Sequence, residues 1–157
     1  MYRRTALILA GMTLLGLAVP QSAFAQSEPF AGLWQVNLAK SKYGGQAPKS
    51  RTAYLQPDGQ NIKMTLVSIN ADGTPASVVR PWIFDGMPHP DTATPNFDAI
   101  VFTRANTNTV IENRLRAGQT VQIETILLSA DGKTITVTST DANGRPSNNT
   151  EVYEKQQ

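Results

Sequence analysis

The sequence predicts an all-β protein, an antiparallel up-and-down meander closed into a barrel, and three observations carry that prediction. Short runs with period-two alternation succeed one another, such as Ile62, Met64 and Leu66. The breaks between them are turn chemistry: Pro57-Asp58-Gly59, Asp72-Gly73, Asp85-Gly86, Asp131-Gly132 and Asn143-Gly144. Asp-Gly and Asn-Gly between alternating runs are strong short-range hairpin signals. No stretch beyond residue 25 keeps a helical period over the length a stable helix needs. About nine strands joined to their sequence neighbours remove their edges most economically by closing on themselves. A β-sandwich would need longer Greek-key connections than these turns provide.

The first element is Phe30 to Leu38, where Gly32 precedes Trp34 by two residues. Glycine lets the backbone pass close to a neighbour, and Trp34, Val36 and Leu38 share one face. Trp34 is read as structural packing at the base of the barrel. Residues 39–48 break the pattern through Gly44-Gly45 and Pro48, with room for one helical turn. Ser50–Gln56 puts Thr52, Tyr54 and Gln56 on one side and Arg51, Ala53 and Leu55 on the other. Strands are then expected at Asn61–Asn70, Ala76–Phe84, Asn96–Arg104, Thr109–Arg116, Gln119–Ser129, Thr134–Thr140 and Ser147–Glu154. Met87-Pro88-His89-Pro90 reads as a rigid rim loop.

The N-terminus reads as a signal peptide over residues 1–25, leaving a barrel domain over 26–157. Arg3-Arg4 form a basic region, Thr5 to Val19 is nearly all apolar, and Ala23-Phe24-Ala25 offers small residues for cleavage. The apolar run falls short of the ~20 residues of a membrane span. Cleavage after Ala25 would place the mature chain in the periplasm or outside the cell, with no span remaining. It would also remove Arg3 and Arg4, reducing 14 Lys and Arg to 12 against 12 Asp and Glu. Such a balanced chain has no basic stripe for nucleic acid. Cysteine is absent, so packing and strand pairing alone must hold the fold.

Catalysis finds little support. With a single His, no Cys and no Gly-x-Ser-x-Gly elbow, the sequence shows no nucleophile with a base and an orienting partner. It therefore reads as no enzyme, with no cofactor and no metal site; His89 reads as a loop residue. A binding cavity fits better. Val78, Arg80, Trp82 and Phe84 share a face. A charged group among rings is costly unless a carboxylate or ligand meets it, so Arg80 is the candidate polar anchor and Trp82 and Phe84 the candidate walls. The other reading of Arg80 is a side chain snorkelling at the rim. Tyr54, Ile100, Phe102, Ile123 and Tyr153 are further wall candidates. Arg114 and Arg116 share a face with Glu112, and the opposite face, Ile111 and Leu115, is more apolar; the arginines are expected to face solvent. In Thr134–Thr138, Ile135 and Val137 are expected inside and the threonines outside.

Gly32-Leu33-Trp34 followed by residues 37–43 (NLAKSKY) resembles the start of the lipocalin-like domain proteins that many bacteria secrete. The ending Thr150-Glu151-Val152-Tyr153-Glu154-Lys155 is similar to the last strand of intracellular fatty-acid-binding proteins. The resemblance implies a calycin barrel holding one small apolar molecule. In those fatty-acid carriers an Arg-x-Tyr pair clamps the ligand carboxylate; here Tyr153 matches the tyrosine, but Glu151 stands in place of the arginine. Like charge would repel a carboxylate there. Lipocalins also pack a late cation over the first-strand tryptophan, a place for which Lys155 is available. The expected function is a secreted or periplasmic binder of an apolar or amphipathic molecule. The alternative is an interaction module with a protein partner in the cell envelope, like small barrels that inhibit proteases, presenting an arm over residues 26–30.

Overall fold

A computed structural model describes residues 28–157; the expected leader and the first two residues of the expected arm lie outside the described residues. The described chain is a single sheet of ten antiparallel strands: β1 (Gly32–Val36), β2 (Ser50–Asp58), β3 (Asn61–Ile69), β4 (Pro75–Trp82), β5 (His89–Pro90), β6 (Ala99–Asn106), β7 (Thr109–Arg116), β8 (Gln119–Leu128), β9 (Thr134–Asp141) and β10 (Pro146–Lys155). Spatial order runs β4-β3-β2-β1-β10-β9-β8-β7-β6-β5. The first and last strands meet through Val36 opposite Tyr153 and Trp34 opposite Lys155. Among the described residues no helix is long and apolar enough to cross a membrane.

Two features refine the expected barrel. His89 and Pro90 lie in β5, pairing with Ile100 and Ala99, where a loop was expected. The sheet also keeps a seam, because β4 and β5 are its two ends. Side chains bridge it: Trp82 stacks on Phe102 at 5.3 Å between centroids, and Arg80 Nε donates to Asp91 Oδ2 at 2.5 Å. The seam strands carry Pro75, Pro81 and Pro90, and proline is tolerated where a strand lacks a second neighbour.

One end of the barrel is closed by an apolar plug. Phe30, Trp34, Ile62 and Val110 are fully buried, and Phe30 meets Trp82 edge-on at 6.2 Å. The Trp34 indole donates Nε1–H to the Phe30 carbonyl at 2.9 Å, so its one polar atom is satisfied inside the plug. Lys155 Nζ lies 5.2 Å from the Trp34 ring, the cation-over-indole contact expected of the late lysine. Gly32 makes room for it: a Cβ there would come within 2.7 Å of Lys155 Cε. Around the plug, Glu28 pairs with Arg104 at 2.8 Å. The residues of the expected arm that are described are thus fastened to the barrel, with Phe30 in its core.

Candidate functional site

The interior beyond the plug is a cavity of about 450 Å³. Its apolar part is formed by Trp34, Ala53, Leu55, Met64, Trp82 and Ile126, and its polar part by Arg51, Arg80, Glu112, Arg114, Glu124 and Glu151. Tyr43, Gly45, Gln46 and Pro48 close over it from the β1–β2 connection. That connection is tied to β10 by paired backbone bonds between Lys42 and Thr150.

Strand alternation explains which charges point inward. On β7, Val110 and Glu112 share the buried face, and on β8, Gln122, Glu124 and Ile126 line the cavity while Leu127 is exposed. Arg114 keeps the parity of Val110 and Glu112 and lines the cavity, while Leu115, on the alternate parity, is buried outside the main core cluster. This corrects the solvent-facing expectation for Arg114, which is half-buried between Glu112 and Glu124 at 2.7 Å each. Arg116, the last residue of β7, is exposed.

The inward charges form a chain of alternating sign. Asp91 meets Arg80 at 2.5 Å, Arg80 meets Glu112 at 3.8 Å, and Glu112 and Glu124 share Arg114. Arg80 is therefore a half-buried group answered by a carboxylate, and its partner comes from just past β5 on the far side of the seam. Glu124 Oε1 also accepts from Ser139 Oγ at 3.1 Å. Burial first, and then the neighbouring Glu112, push the Glu124 carboxyl up to about 7, with Arg114 offsetting only part of the rise. Burial alone would lower the Arg114 guanidinium, but Glu112 and Glu124 outweigh it and raise it.

A second ion pair stands nearer the β1–β2 connection, where Arg51 bonds Glu151. Glu151 also accepts from the Tyr153 hydroxyl at 2.6 Å. Burial, reinforced by Glu151, raises the Tyr153 phenol well above its ordinary value. Glu151, placed where a fatty-acid clamp would have arginine, is thus neutralised from β2 by Arg51.

The candidate wall residues divide. Arg80, Trp82 and Tyr153 line the cavity, and Ile135 and Val137 do so as expected. Tyr54 does not: it is 45% exposed on the outer face, because the small Ala53 beside it takes the inward place opposite Trp34. Ile123 likewise has the outward parity of β8. Phe84 falls past the end of β4, under the Arg104 guanidinium at 4.4 Å from its ring, and packs against the plug. Phe102 and Ile100 are buried but line a smaller hollow of about 260 Å³ at the seam, with Arg80, His89 and Asp91. His89 Nε2 lies 3.0 Å from both oxygens of Asp85. Among the described residues no group of three or more His, Cys, Asp or Glu is placed to hold a metal ion.

The sequence reading passed over Arg51 and Glu124 as site residues and set Arg114, with Glu112 on its face, toward solvent. Their signal was parity alone. Each falls in step with an apolar neighbour at even spacing: Arg51 with Ala53, Glu112 and Arg114 with Val110, Glu124 with Ile126.

The sequence matches no family model and no curated protein. Among solved structures, the chain is similar to a Schistosoma mansoni fatty acid binding protein in complex with arachidonic acid. The TM-score is 0.56 at 12% sequence identity, covering 82% of this chain and 97% of that one. The likeness establishes the fold, an antiparallel up-and-down β-barrel.

Proposed function

We propose that this protein is exported and holds one small apolar or amphipathic molecule inside its barrel, in the periplasm or outside the cell. The observation that carries the reading is the cavity of about 450 Å³, closed by an aromatic plug at one end and lined by apolar and polar groups together. Ligand sites commonly occupy roughly 300–1,000 Å³ with a few placed polar groups on apolar walls. The similar fold of a protein that binds arachidonic acid points the same way. Trp82, Tyr153, Leu55, Met64 and Ile126 are the proposed walls, with Arg80 holding the seam against Asp91.

Two measurements test this. Trp34 and Trp82 both line the cavity, so a bound molecule should shift tryptophan emission saturably, and native mass spectrometry of freshly purified protein should show the adduct. Unchanged emission across a panel of apolar molecules, with no adduct, would refute the carrier reading. For export, the N-terminal mass of protein recovered from cell fractions should correspond to cleavage after Ala25; intact leader in the cytoplasm would refute it.

One observation favours the second reading, an interaction module. Leu33 pairs with Tyr54, Tyr54 with Thr65 and Thr65 with Val79, so an outward row crosses β1 to β4. Leu33, Tyr54 and Val79 in that row are exposed. Under this reading Tyr54→Asp and Val79→Asp abolish capture of an envelope partner while leaving the cavity unaffected; capture that survives both substitutions refutes it.

A further inference from the structure

We infer that the polar end of the ligand carries no negative charge and donates hydrogen bonds, as a hydroxyl, amide or amine on an apolar body does. The inference rests on the carrier reading and concerns the same cavity. Each of the three arginines lining that cavity already faces a carboxylate: Arg51 faces Glu151, Arg80 faces Asp91 and then Glu112, and Arg114 faces Glu112 and Glu124. The connected chain Asp91–Arg80–Glu112–Arg114–Glu124 has a carboxylate at both ends, with Asp91 at the seam hollow outside the main cavity. The cavity lining itself is balanced, three arginines against Glu112, Glu124 and Glu151. An anionic head would meet guanidiniums already answered by carboxylates and no cationic excess to offset its desolvation, which opposes binding. The donors left without a partner there, Arg51 Nε and Trp82 Nε1, suit the acceptor lone pair of a neutral hydroxyl or amide.

A donor meets the opposite situation. The Glu112 side chain is 4% exposed and lines the cavity. Its Oε1 takes Arg114, while its Oε2 accepts no hydrogen bond among the described residues. A carboxylate has about four acceptor positions, so Glu112 retains the capacity to receive a ligand donor. Glu124 beside it takes Arg114 on Oε2, and Ser139 and, at 3.4 Å, Gln122 on Oε1. The groups facing Glu124 are thus Glu112 and Arg114 from β7, Gln122 from its own strand and Ser139 from β9, with Glu151 of β10 adding a weaker repulsion. Because Glu112 and burial hold the Glu124 proton up to about 7, an ammonium head competes with that proton and is favoured more as the pH rises.

Decanol, decylamine and decanoate share one tail and differ in the head, and below their micellar concentrations they can be titrated into the purified protein by tryptophan emission. Near pH 8, decanol and decylamine should each bind at least about tenfold more tightly than decanoate, a difference of about 1.4 kcal/mol. The affinity ratio of decylamine to decanol should rise between about pH 6 and about pH 8, and Glu124→Gln should flatten that rise. Decanoate binding as tightly as the other two would overturn the inference and leave the carrier reading standing. A decylamine-to-decanol ratio that is indifferent to pH would overturn the role of Glu124. Failure of all three to bind would overturn both the inference and the carrier reading.

Discussion

Glu112 and Glu124 stand directly opposite each other across β7 and β8, and Arg114 lies between them at 2.7 Å from each. Like charges in register on one face of a sheet repel, and here the face is the inside of a barrel. The guanidinium turns a repulsive pair into part of a five-membered ionic chain that reaches Asp91 at the seam. The same side chain stacks over the Phe97 ring at 4.9 Å, which fixes its plane from the other side.

Removing the bridge should therefore be costly. Arg114→Met keeps the volume of the stem but leaves two buried carboxylates facing each other, and breaking a buried ion pair on one side costs about 3–5 kcal/mol. Urea unfolding near neutral pH should show a loss of that size, and the double variant Arg114→Met with Glu124→Gln should recover a large part of it. A loss below about 1 kcal/mol, typical of an exposed pair, would mean that the two carboxylates are hydrated in the folded state.

The fold was legible in the sequence because it is written in local chemistry. Ile62, Met64 and Leu66 alternate, Asp131-Gly132 and Asn143-Gly144 turn the chain, and β8 and β9 fall within a residue of their expected bounds. The site was less legible because its charges sit where apolar residues are expected. On Thr109–Arg116 the apolar Ile111 and Leu115 marked the odd positions as the inner face, whereas Val110, Glu112 and Arg114 at the even positions face the interior. Tyr54 misled for the opposite reason: an aromatic ring attracts assignment to the core, yet packing against Trp34 requires the small Ala53 inside. The seam was invisible too, since His89 and Pro90 gain their strand only by pairing with Ile100 and Ala99.

Gly32 offers a test of the closed end. Its φ of +143° lies where side-chain-bearing residues are rarely found, and a Cβ would press on Lys155 Cε. Gly32→Ala should destabilise the fold by about 1–3 kcal/mol. Lys155→Ala in the same background separates the two causes: relief of the contact restores part of the loss, and the backbone strain remains. Full restoration by Lys155→Ala would show that the glycine is required for space and not for its dihedral angle.

The β7–β8 hairpin holds a suboptimal residue. Ala117, with φ of +49°, and Gly118, with φ of +76°, occupy the two central turn positions, a pattern that favours Asn-Gly. Left-handed backbone costs a residue such as alanine roughly 1–2 kcal/mol. Ala117→Asn should raise stability by about 0.5–1 kcal/mol, less than the full strain, because the backbone N–H that donates to Asp98 at 2.8 Å is kept. An unchanged melting temperature would show that the strain is relieved elsewhere in the turn.

Stability should also depend on pH through Glu124. Its carboxyl rises from 4.5 to about 7, through burial first and then Glu112. An acid that holds its proton more tightly when folded adds stability that is complete below its unfolded value and is lost as pH climbs through its folded value. The decline therefore runs from about 4.5 to about 7, with a flat region above, and spans at most about 3 kcal/mol. Asp72, Asp85, Asp131 and Glu154 are shifted downward, so their contributions fade only at more acid pH and leave this window clear. Urea midpoints should fall between about pH 5 and about pH 8 in the native protein and stay nearly level in Glu124→Gln. Equal slopes in the two proteins would mean that Glu124 is ionised throughout, with Arg114 and Ser139 stabilising its charge more strongly than burial and Glu112 oppose it.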